Sequence, residues 1–236
     1  MVRIYTKTGD DGTTGLLYGG RVRKDSTTMQ VNGAVDEAQA MMGLARAEAV
    51  AGSELDALLV RLERDLYVLM AEVATDVTNR GKLTPGTTLV SEEMVAALEV
   101  HIDELIDRFE MPADFVVPGA NRVSAALDVS RTVVRRAERL VVSDPVEGSL
   151  VGRYLNRLSD LLWAMARWTE GEDHLLARGA DARRRGGPRA RTASDRAGHS
   201  DDEAGHSDDQ AGHAGDEAGH AGDQDGHSDG RSAQDG

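Results

Sequence analysis

The sequence has no cysteine, only five prolines and few aromatic residues, which make up 3% of its 236 positions. Without cysteine there is no disulfide framework, no thiolate zinc site and no cysteine nucleophile, which fits a reducing compartment. No apolar run approaches the ~18–20 residues that cross a bilayer, and the N-terminal segment lacks the apolar region of a signal peptide. We therefore expect a soluble, cytoplasmic protein without a membrane partner.

The acidic charge is unevenly distributed. The formal net charge is −14, of which residues 1–177, 178–196 and 197–236 carry −9, +5 and −10. No basic face dominates residues 1–177, so we expect no nucleic-acid partner. Because single cores usually span ~100–200 residues, the length fits one core followed by a tail.

Helix-compatible runs fill the chain between its two ends. Residues 1–28 are polar and rich in glycine, which predicts a loop segment. Breakers such as Thr84-Pro85-Gly86 separate the later runs, in which apolar residues recur with the period of a helix face. The pattern predicts helices near residues 29–50, 54–80, 91–109, 119–143 and 149–177. We expect an all-α, five-helix bundle over residues 29–177.

The C-terminal segment is a repeat of five seven-residue units, which place histidines at His199, His206, His213, His220 and His227. Each unit contains glycine and no apolar residue larger than alanine, so a coiled-coil seam cannot form. We predict a disordered tail over residues 197–236, joined by an Arg-rich linker at 178–196. A solvating appendage is the favoured interpretation, and collection of Ni²⁺, Co²⁺ or Zn²⁺ by the imidazoles is the alternative.

The N-terminal segment YTKTGDDGTTG, at residues 5–15, combines glycines, threonine hydroxyls and the Lys7 cation. Glycines let backbone N–H groups approach a ligand, and hydroxyls and a lysine suit a polyphosphate. The segment is not a P-loop, because Arg21 and Val22 follow Gly20 where Lys-Ser/Thr is required. On composition alone, an ordinary surface loop remains the alternative.

The fourth predicted helix carries a stripe of charged residues, namely Asp128, Arg131, Arg135, Glu138 and Arg139. Cations this close together repel one another unless an anion compensates them. Guanidinium groups bind phosphate oxygens bidentately, so a phosphate site is one interpretation of the stripe. A solvated helix face with ion pairs is the other.

Two further positions have side chains suited to a ligand. Asn156 lies one turn before Asp160 on the fifth predicted helix, and its amide offers the donor and the acceptor that nucleoside recognition needs. Phe115 precedes Pro118 on a loop, where an aromatic ring can wall a pocket for a flat ligand. An exposed asparagine and a core phenylalanine are the alternatives.

Together these motifs resemble one family. IYTKTGDDGTTG at 4–15, Lys24 in RVRKD, GAVDE at 33–37, FVVPG at 115–119, RTVVRRAER at 131–139 and YLNRLSD at 154–160 are similar to the successive signatures of the PduO-type ATP:cob(I)alamin adenosyltransferases. The resemblance covers about residues 3–170. It implies a homotrimer of ferritin-like five-helix bundles with active sites between subunits. Such enzymes transfer the 5′-deoxyadenosyl group of ATP to cob(I)alamin, giving adenosylcobalamin and triphosphate, with Mg²⁺ on the phosphates.

The resemblance also implies which residues bind ATP. The N-terminal residues that wrap the nucleotide are Thr6, Lys7, Thr8, Gly9, Thr14, Gly15 and Lys24. The residues of the fourth helix that hold the triphosphate are Arg135, Arg136, Glu138 and Arg139, with Glu138 near the metal. Asn156 reaches the nucleotide from the fifth helix.

Further implied roles concern the corrin and the partners. Asp36 and Arg131 form an ion pair between subunits, and Phe115 presses on the lower face of the corrin so that cobalamin binds base-off. In the base-off form the nucleotide base of cobalamin no longer ligates cobalt, which makes Co(II) easier to reduce. A flavin reductase and an adenosylcobalamin-dependent acceptor enzyme are the implied partners. The alternative is a bundle that holds ATP or cobalamin without turnover, although the intact RRAER motif and Asn156 favour catalysis.

Overall fold

The computed structural model describes residues 5–178. Its helices are α1 (Thr27–Glu48), α2 (Glu54–Val73), α3 (Glu92–Ile106), α4 (Arg122–Ser143) and α5 (Val151–Glu170). The strands β1 (Thr13–Gly15) and β2 (Arg21–Arg23) form one antiparallel pair, and β3 (Val116–Val117) and β4 (Leu175–Leu176) form another. The predicted all-α, five-helix bundle is confirmed. The predictions for the linker beyond Arg178 and for the tail at 197–236 lie outside the described residues.

Helix α5 lies at the centre of the bundle, packed against α3 and α4, while α1 packs against α2 and α4. The predicted apolar face of α5 is fully buried at Leu155, Leu158, Leu161, Leu162 and Met165. Each such side chain stabilises the fold by about 1.5–3 kcal/mol through the apolar surface that it removes from water. Within residues 5–178, no helix has the length and hydropathy of a membrane span.

Four helices begin at a polar residue whose side chain accepts a hydrogen bond from a first-turn backbone N–H: Ser26, Ser53, Ser91 and Asn121. These caps satisfy donors that have no partner inside the helix. Asn121 is also part of a reciprocal pair with Ser124, so α4 begins at Arg122 rather than at the predicted residue 119.

The second helix is shorter than predicted. It ends at Val73, and Val77–Lys82 forms a separate 3₁₀ turn. The carboxylate of Asp76 accepts hydrogen bonds from the backbone N–H of Thr78 at 2.9 Å and from its hydroxyl at 2.6 Å. The amide of Leu17 donates to the carbonyl of Ala74 at 2.8 Å. In a continuing helix, the N–H of Thr78 would donate to the carbonyl of Ala74. Both groups are already bonded elsewhere, so the helix ends.

The fifth helix also ends earlier than predicted, at Glu170. Gly171 has φ 57°, a left-handed conformation that terminates a helix at little cost for glycine. The chain then returns as β4, in which Leu176 pairs with Val116. The amide of Ala177 donates to the carbonyl of Phe115 at 2.7 Å, so the end of the described chain holds the Phe115 loop in place.

Candidate active site

The N-terminal segment forms a loop above the β1–β2 hairpin, with a cavity of about 320 Å³. This cavity is lined by every N-terminal residue for which ATP binding was predicted, namely Thr6, Lys7, Thr8, Gly9, Thr14, Gly15 and Lys24. Lys7 has φ 61°, and the Thr6 and Thr8 hydroxyls lie 2.8 Å apart. The fold therefore gathers hydroxyls and two lysines around one concave surface.

Gly9 is required by the close approach of the Thr13 carbonyl. A Cβ atom at this position would lie 2.9 Å from the carbonyl oxygen of Thr13 and 3.2 Å from the Lys24 Nζ. The first distance is shorter than ordinary packing allows and involves rigid backbone. The absence of a side chain at Gly9 thus lets the ammonium group of Lys24 rest against the loop, where it raises the local positive charge.

Arg21 stabilises this loop through hydrogen bonds, a role that was not predicted from the sequence. Its Nη2 donates to the Thr8 carbonyl at 2.6 Å and to the Thr13 hydroxyl at 2.7 Å, and it lies 3.7 Å from Asp11. The backbone N–H of Thr13, hydrogen-bonded to the carboxylate, is the main reason that the pKa of Asp11 is lowered. The sequence had no signal for this role, which depends on the short β1–β2 hairpin, where Arg21 lies opposite Gly15.

A second group of predicted residues lies where α4 faces α5. The Nδ2 of Asn156 donates to the Oε1 of Glu138 at 2.8 Å. Arg135, Arg136 and Arg139 are exposed on the neighbouring surface of α4. Arg136 pairs with Glu37 of α1, whereas Arg135 forms no ion pair with any residue from 5 to 178.

Electrostatics link Asp160 to the same surface. Desolvation raises the pKa of Asp160, and the negative charge of Glu138 raises it further, while Arg157 and Arg135 lower it. Two carboxylates and an unpaired arginine are therefore close enough to influence each other. Such a group suits a ligand with phosphate oxygens and a bound cation.

Arg131 is engaged inside its own chain. Its Nε lies 3.2 Å from the Oδ1 of Asp128, and the other oxygen of Asp128 accepts from Arg167 at 2.7 Å. Asp128, predicted on the charged stripe, is instead 5% exposed. Asp36 is exposed on α1 and does not meet Arg131 within one chain. The predicted pairing of these two residues between subunits stays a prediction.

Arg167 is a second residue that the sequence reasoning missed. It is 2% exposed and bonds to Asp128 and also to Glu170, whose Oε1 lies 3.0 Å away. A buried guanidinium is costly without carboxylate partners, so these residues form one compensated network. No signal in the sequence set Arg167 apart from the surrounding apolar positions of α5.

Phe115 stands at the edge of a cavity of about 600 Å³ whose lining includes Arg131, Trp163 and Arg167. Its side chain is 78% exposed, which rules out the alternative of a core phenylalanine. An exposed aromatic ring, on a loop whose backbone is hydrogen-bonded to the segment after β4, offers a flat apolar surface to a ligand.

The two groups of residues remain separate within one chain. Among residues 5–178, no hydrogen bond or ion pair joins the N-terminal loop to the surface of Arg135, Glu138 and Asn156. The described chain thus has two separate groups of side chains that suit a polyanion, one at the hairpin and one on α4 and α5.

Comparisons with known proteins show which family this chain resembles. The sequence profile of the cobalamin adenosyltransferase family matches residues 4–169. A corrinoid adenosyltransferase of Citrobacter freundii is 40% identical over 173 residues, covering 72% of this chain and 96% of that protein. A corrinoid adenosyltransferase of Mycobacterium tuberculosis is 36% identical over 183 residues, covering 75% of this chain and 94% of the relative.

Solved structures give the same result. A Phe-to-His variant of a PduO-type ATP:corrinoid adenosyltransferase from Lactobacillus reuteri, complexed with cobalamin and ATP, superposes with a TM-score of 0.67. It is 26% identical, and the match covers 75% of this chain and 97% of that one. An Arg-to-Lys variant complexed with ATP has a TM-score of 0.63 at 27% identity, covering 70% and 93% of the two chains. The family predicted from the motifs is confirmed: this chain belongs to the cobalamin adenosyltransferases.

Proposed function

We propose that this chain transfers the 5′-deoxyadenosyl group of ATP to cob(I)alamin. The electron pair of Co(I) forms the Co–C bond as the C5′–O bond breaks, and the electrons of that bond leave on the triphosphate. Cobalt is the nucleophile, so the chain needs no cysteine or serine for attack. The observation that carries the proposal is the Asn156–Glu138 pair beside exposed arginines of α4, because it combines nucleoside recognition with triphosphate recognition.

The arginines of α4 stabilise the leaving group. Negative charge accumulates on the triphosphate as the C5′–O bond breaks, and donors already in position lower the barrier most effectively. Arg135 is exposed and unpaired within residues 5–178, so its guanidinium is available for phosphate oxygens. Arg139 donates to the backbone carbonyl of Arg135 at 3.2 Å, which holds its guanidinium against the preceding turn of α4.

We place each active site between two subunits. The N-terminal loop of one subunit supplies Lys7 and Lys24, and α4 and α5 of the next supply Arg135 and Asn156. The separation of these groups within a single chain supports this arrangement.

The assembly that we propose is a homotrimer. Asp36 is exposed and forms no ion pair with residues 5–178, so it is free to pair with Arg131 of the adjacent subunit. Val129, on the same helix as Arg131, is 47% exposed and adds apolar area to that surface.

For this assembly we expect sedimentation equilibrium to give the mass of three 25.2-kDa chains. Asp36→Lys should shift the equilibrium toward smaller species, since like charges then face each other across the interface. Lys substituted for Asp107, an exposed residue at the end of α3, is the control. A mass of one or two chains for the wild type would contradict the trimer.

We propose Glu138 as the protein ligand of Mg²⁺. This cation binds through one or two carboxylates together with substrate phosphates and water. Within residues 5–178, no three metal-ligating side chains cluster, and in this proposal the nucleotide phosphates and water complete the donor set. When bound, Mg²⁺ supplies positive charge to the phosphate oxygens. Glu138 is oriented for this role by the Asn156 amide.

Phe115 contacts the lower face of the corrin in this proposal and keeps cobalamin base-off. Its exposure, and the cavity beside it, support the assignment. Reduction of Co(II) to Co(I) requires an electron donor, for which we propose a flavin reductase of the cytoplasm. The product then passes to an adenosylcobalamin-dependent enzyme.

The test is a spectroscopic assay with chemically reduced cobalamin, ATP and Mg²⁺. We expect the corrin spectrum to change to that of adenosylcobalamin, with one triphosphate released per cobalamin converted. Chelation of the metal should slow the reaction strongly, because the triphosphate charge is then compensated by protein alone. Binding of both substrates with an unchanged spectrum and no triphosphate would identify a delivery or sensing module instead.

A further inference from the structure

Arg157 of α5 connects the candidate nucleotide site to helix α3. Its Nε donates to the Oε1 of Glu99 on α3 at 2.9 Å. Its Nη1 donates to the Oδ1 of Asn156 at 2.6 Å. Neighbouring residues on a helix point in different directions, so the contact between Arg157 and Asn156 needs a side chain that bends back. Glu99 holds the guanidinium in that position.

This contact decides which end of the Asn156 amide faces Glu138. The amide oxygen accepts from Arg157, and the amide nitrogen donates to the Glu138 carboxylate at 2.8 Å. A flipped amide would place its NH₂ against guanidinium donors and its oxygen against a carboxylate, so both hydrogen bonds would become repulsive contacts. A guanidinium and a carboxylate on opposite sides therefore specify a single orientation.

We propose that Arg157, anchored by Glu99, is a positioning residue that orients the Asn156 amide and the Glu138 carboxylate for the nucleotide. The inference rests on the proposed function, because it concerns how the ATP site is held in shape. Arg157 does not touch the reacting atoms and acts through Asn156. The half-exposed Glu99–Arg157 pair contributes little to stability by itself, since exposed ion pairs are weak. Its role is in the geometry of the site.

The chain contains a matched control for this pair. Arg153, one turn earlier on α5, pairs with Glu92 of α3, with Nη1 at 3.1 Å from the Oε1. It joins the same two helices through the same residue types at similar exposure. Arg153 makes no contact with Asn156 or Glu138 among the described residues. Loss of either ion pair should therefore have a similar effect on stability, and only loss of the Arg157 pair should affect ATP.

The experiment measures steady-state kinetics of the full chain with chemically reduced cobalamin and varied ATP. For Arg157→Gln we expect KM for ATP to rise about tenfold, as for loss of a hydrogen bond to a charged group, with a smaller fall in kcat. Glu99→Gln should also raise KM for ATP, by roughly threefold. Arg157→Lys should recover part of the loss, because the ammonium keeps one donor. Arg153→Gln should leave KM unchanged.

A double-mutant cycle separates positioning from direct contact. If Arg157 acts through Asn156, then Arg157→Gln adds nothing to KM in an Asn156→Ala background. A full additional tenfold rise there, an unchanged KM in Arg157→Gln, or an equal rise in Arg153→Gln would each overturn the inference. An unchanged KM in Asn156→Ala alone would instead remove Asn156 from the proposed site. Calorimetric titration of each variant with ATP checks binding independently of turnover, and thermal unfolding checks that each variant is folded.

Discussion

Arg135→Ala is expected to lower the rate of adenosylation at saturating ATP by about 10²–10³, a loss of a few kcal/mol of transition-state stabilisation. The side chain is exposed on α4 and forms no ion pair within residues 5–178, so its removal should cost the fold little. The charge on the departing triphosphate would lose a preorganised guanidinium. We therefore expect the effect mainly in kcat, measured by single-turnover formation of the Co–C bond.

Two further variants sharpen this prediction. Arg135→Lys keeps the charge but loses the bidentate fork, so its rate should lie between wild type and Arg135→Ala. Arg122→Ala removes an exposed arginine at the start of the same helix, one that pairs with Glu48, and should leave the rate unchanged. Wild-type turnover by Arg135→Ala at saturating ATP would contradict the role assigned to this residue.

Phe115→Ala is expected to lower activity by different amounts in two assays, one starting from cob(II)alamin and one from cob(I)alamin. Starting from cob(II)alamin with a reductant, we expect activity to fall at least about tenfold further than in the assay that starts from cob(I)alamin. The physical reason is that axial ligation sets the reduction potential of a metal cofactor. Without the ring, the nucleotide base of cobalamin can return to the lower face of cobalt and hold it as Co(II). Stopped-flow spectra of the corrin in each assay provide the measurement.

Removing the Phe115 ring should disturb the fold little. The ring of Phe115 is 78% exposed, and its backbone is held by the Ala177 amide rather than by side-chain packing. Val117→Ala, at a 41% exposed position of β3 two residues after Phe115, is the control for general loosening of this segment. Equal losses in the two assays would mean that Phe115 contributes only contact area to cobalamin binding.

Most residues of the candidate site could be proposed from the sequence because they are close together on regular elements. Residues 131–139 and 154–160 lie on α4 and α5, so helical spacing already predicts that neighbouring turns share a face. The N-terminal loop was predictable for a different reason, since glycines, threonines and lysines suit a polyphosphate in any local conformation. The burial of Leu155, Leu158 and Leu161 follows from the same helical period.

Other features depend on partners that are distant in sequence. Glu99 anchors Arg157 from another helix, and Asp128 accepts from Arg167, which is 39 residues away. Sequence spacing does not indicate which helices pack together, so neither arginine could be distinguished from an ordinary surface residue. Arg21 was missed because its role requires the short β1–β2 hairpin, whose strands have too few residues to show a clear alternation.

By itself, the sequence determined the class of fold, the family and which residues are proposed to bind ATP. Periodicity, capping residues and local composition are properties of neighbouring residues. They can therefore be recognised without knowing which distant elements pack together. Only the tertiary structure decided where α2 and α5 end, because the Leu17 amide and the β3–β4 pairing replace helical hydrogen bonds there. It also decided that Phe115 faces solvent and that Arg157 holds Asn156, since both depend on which distant elements pack side by side.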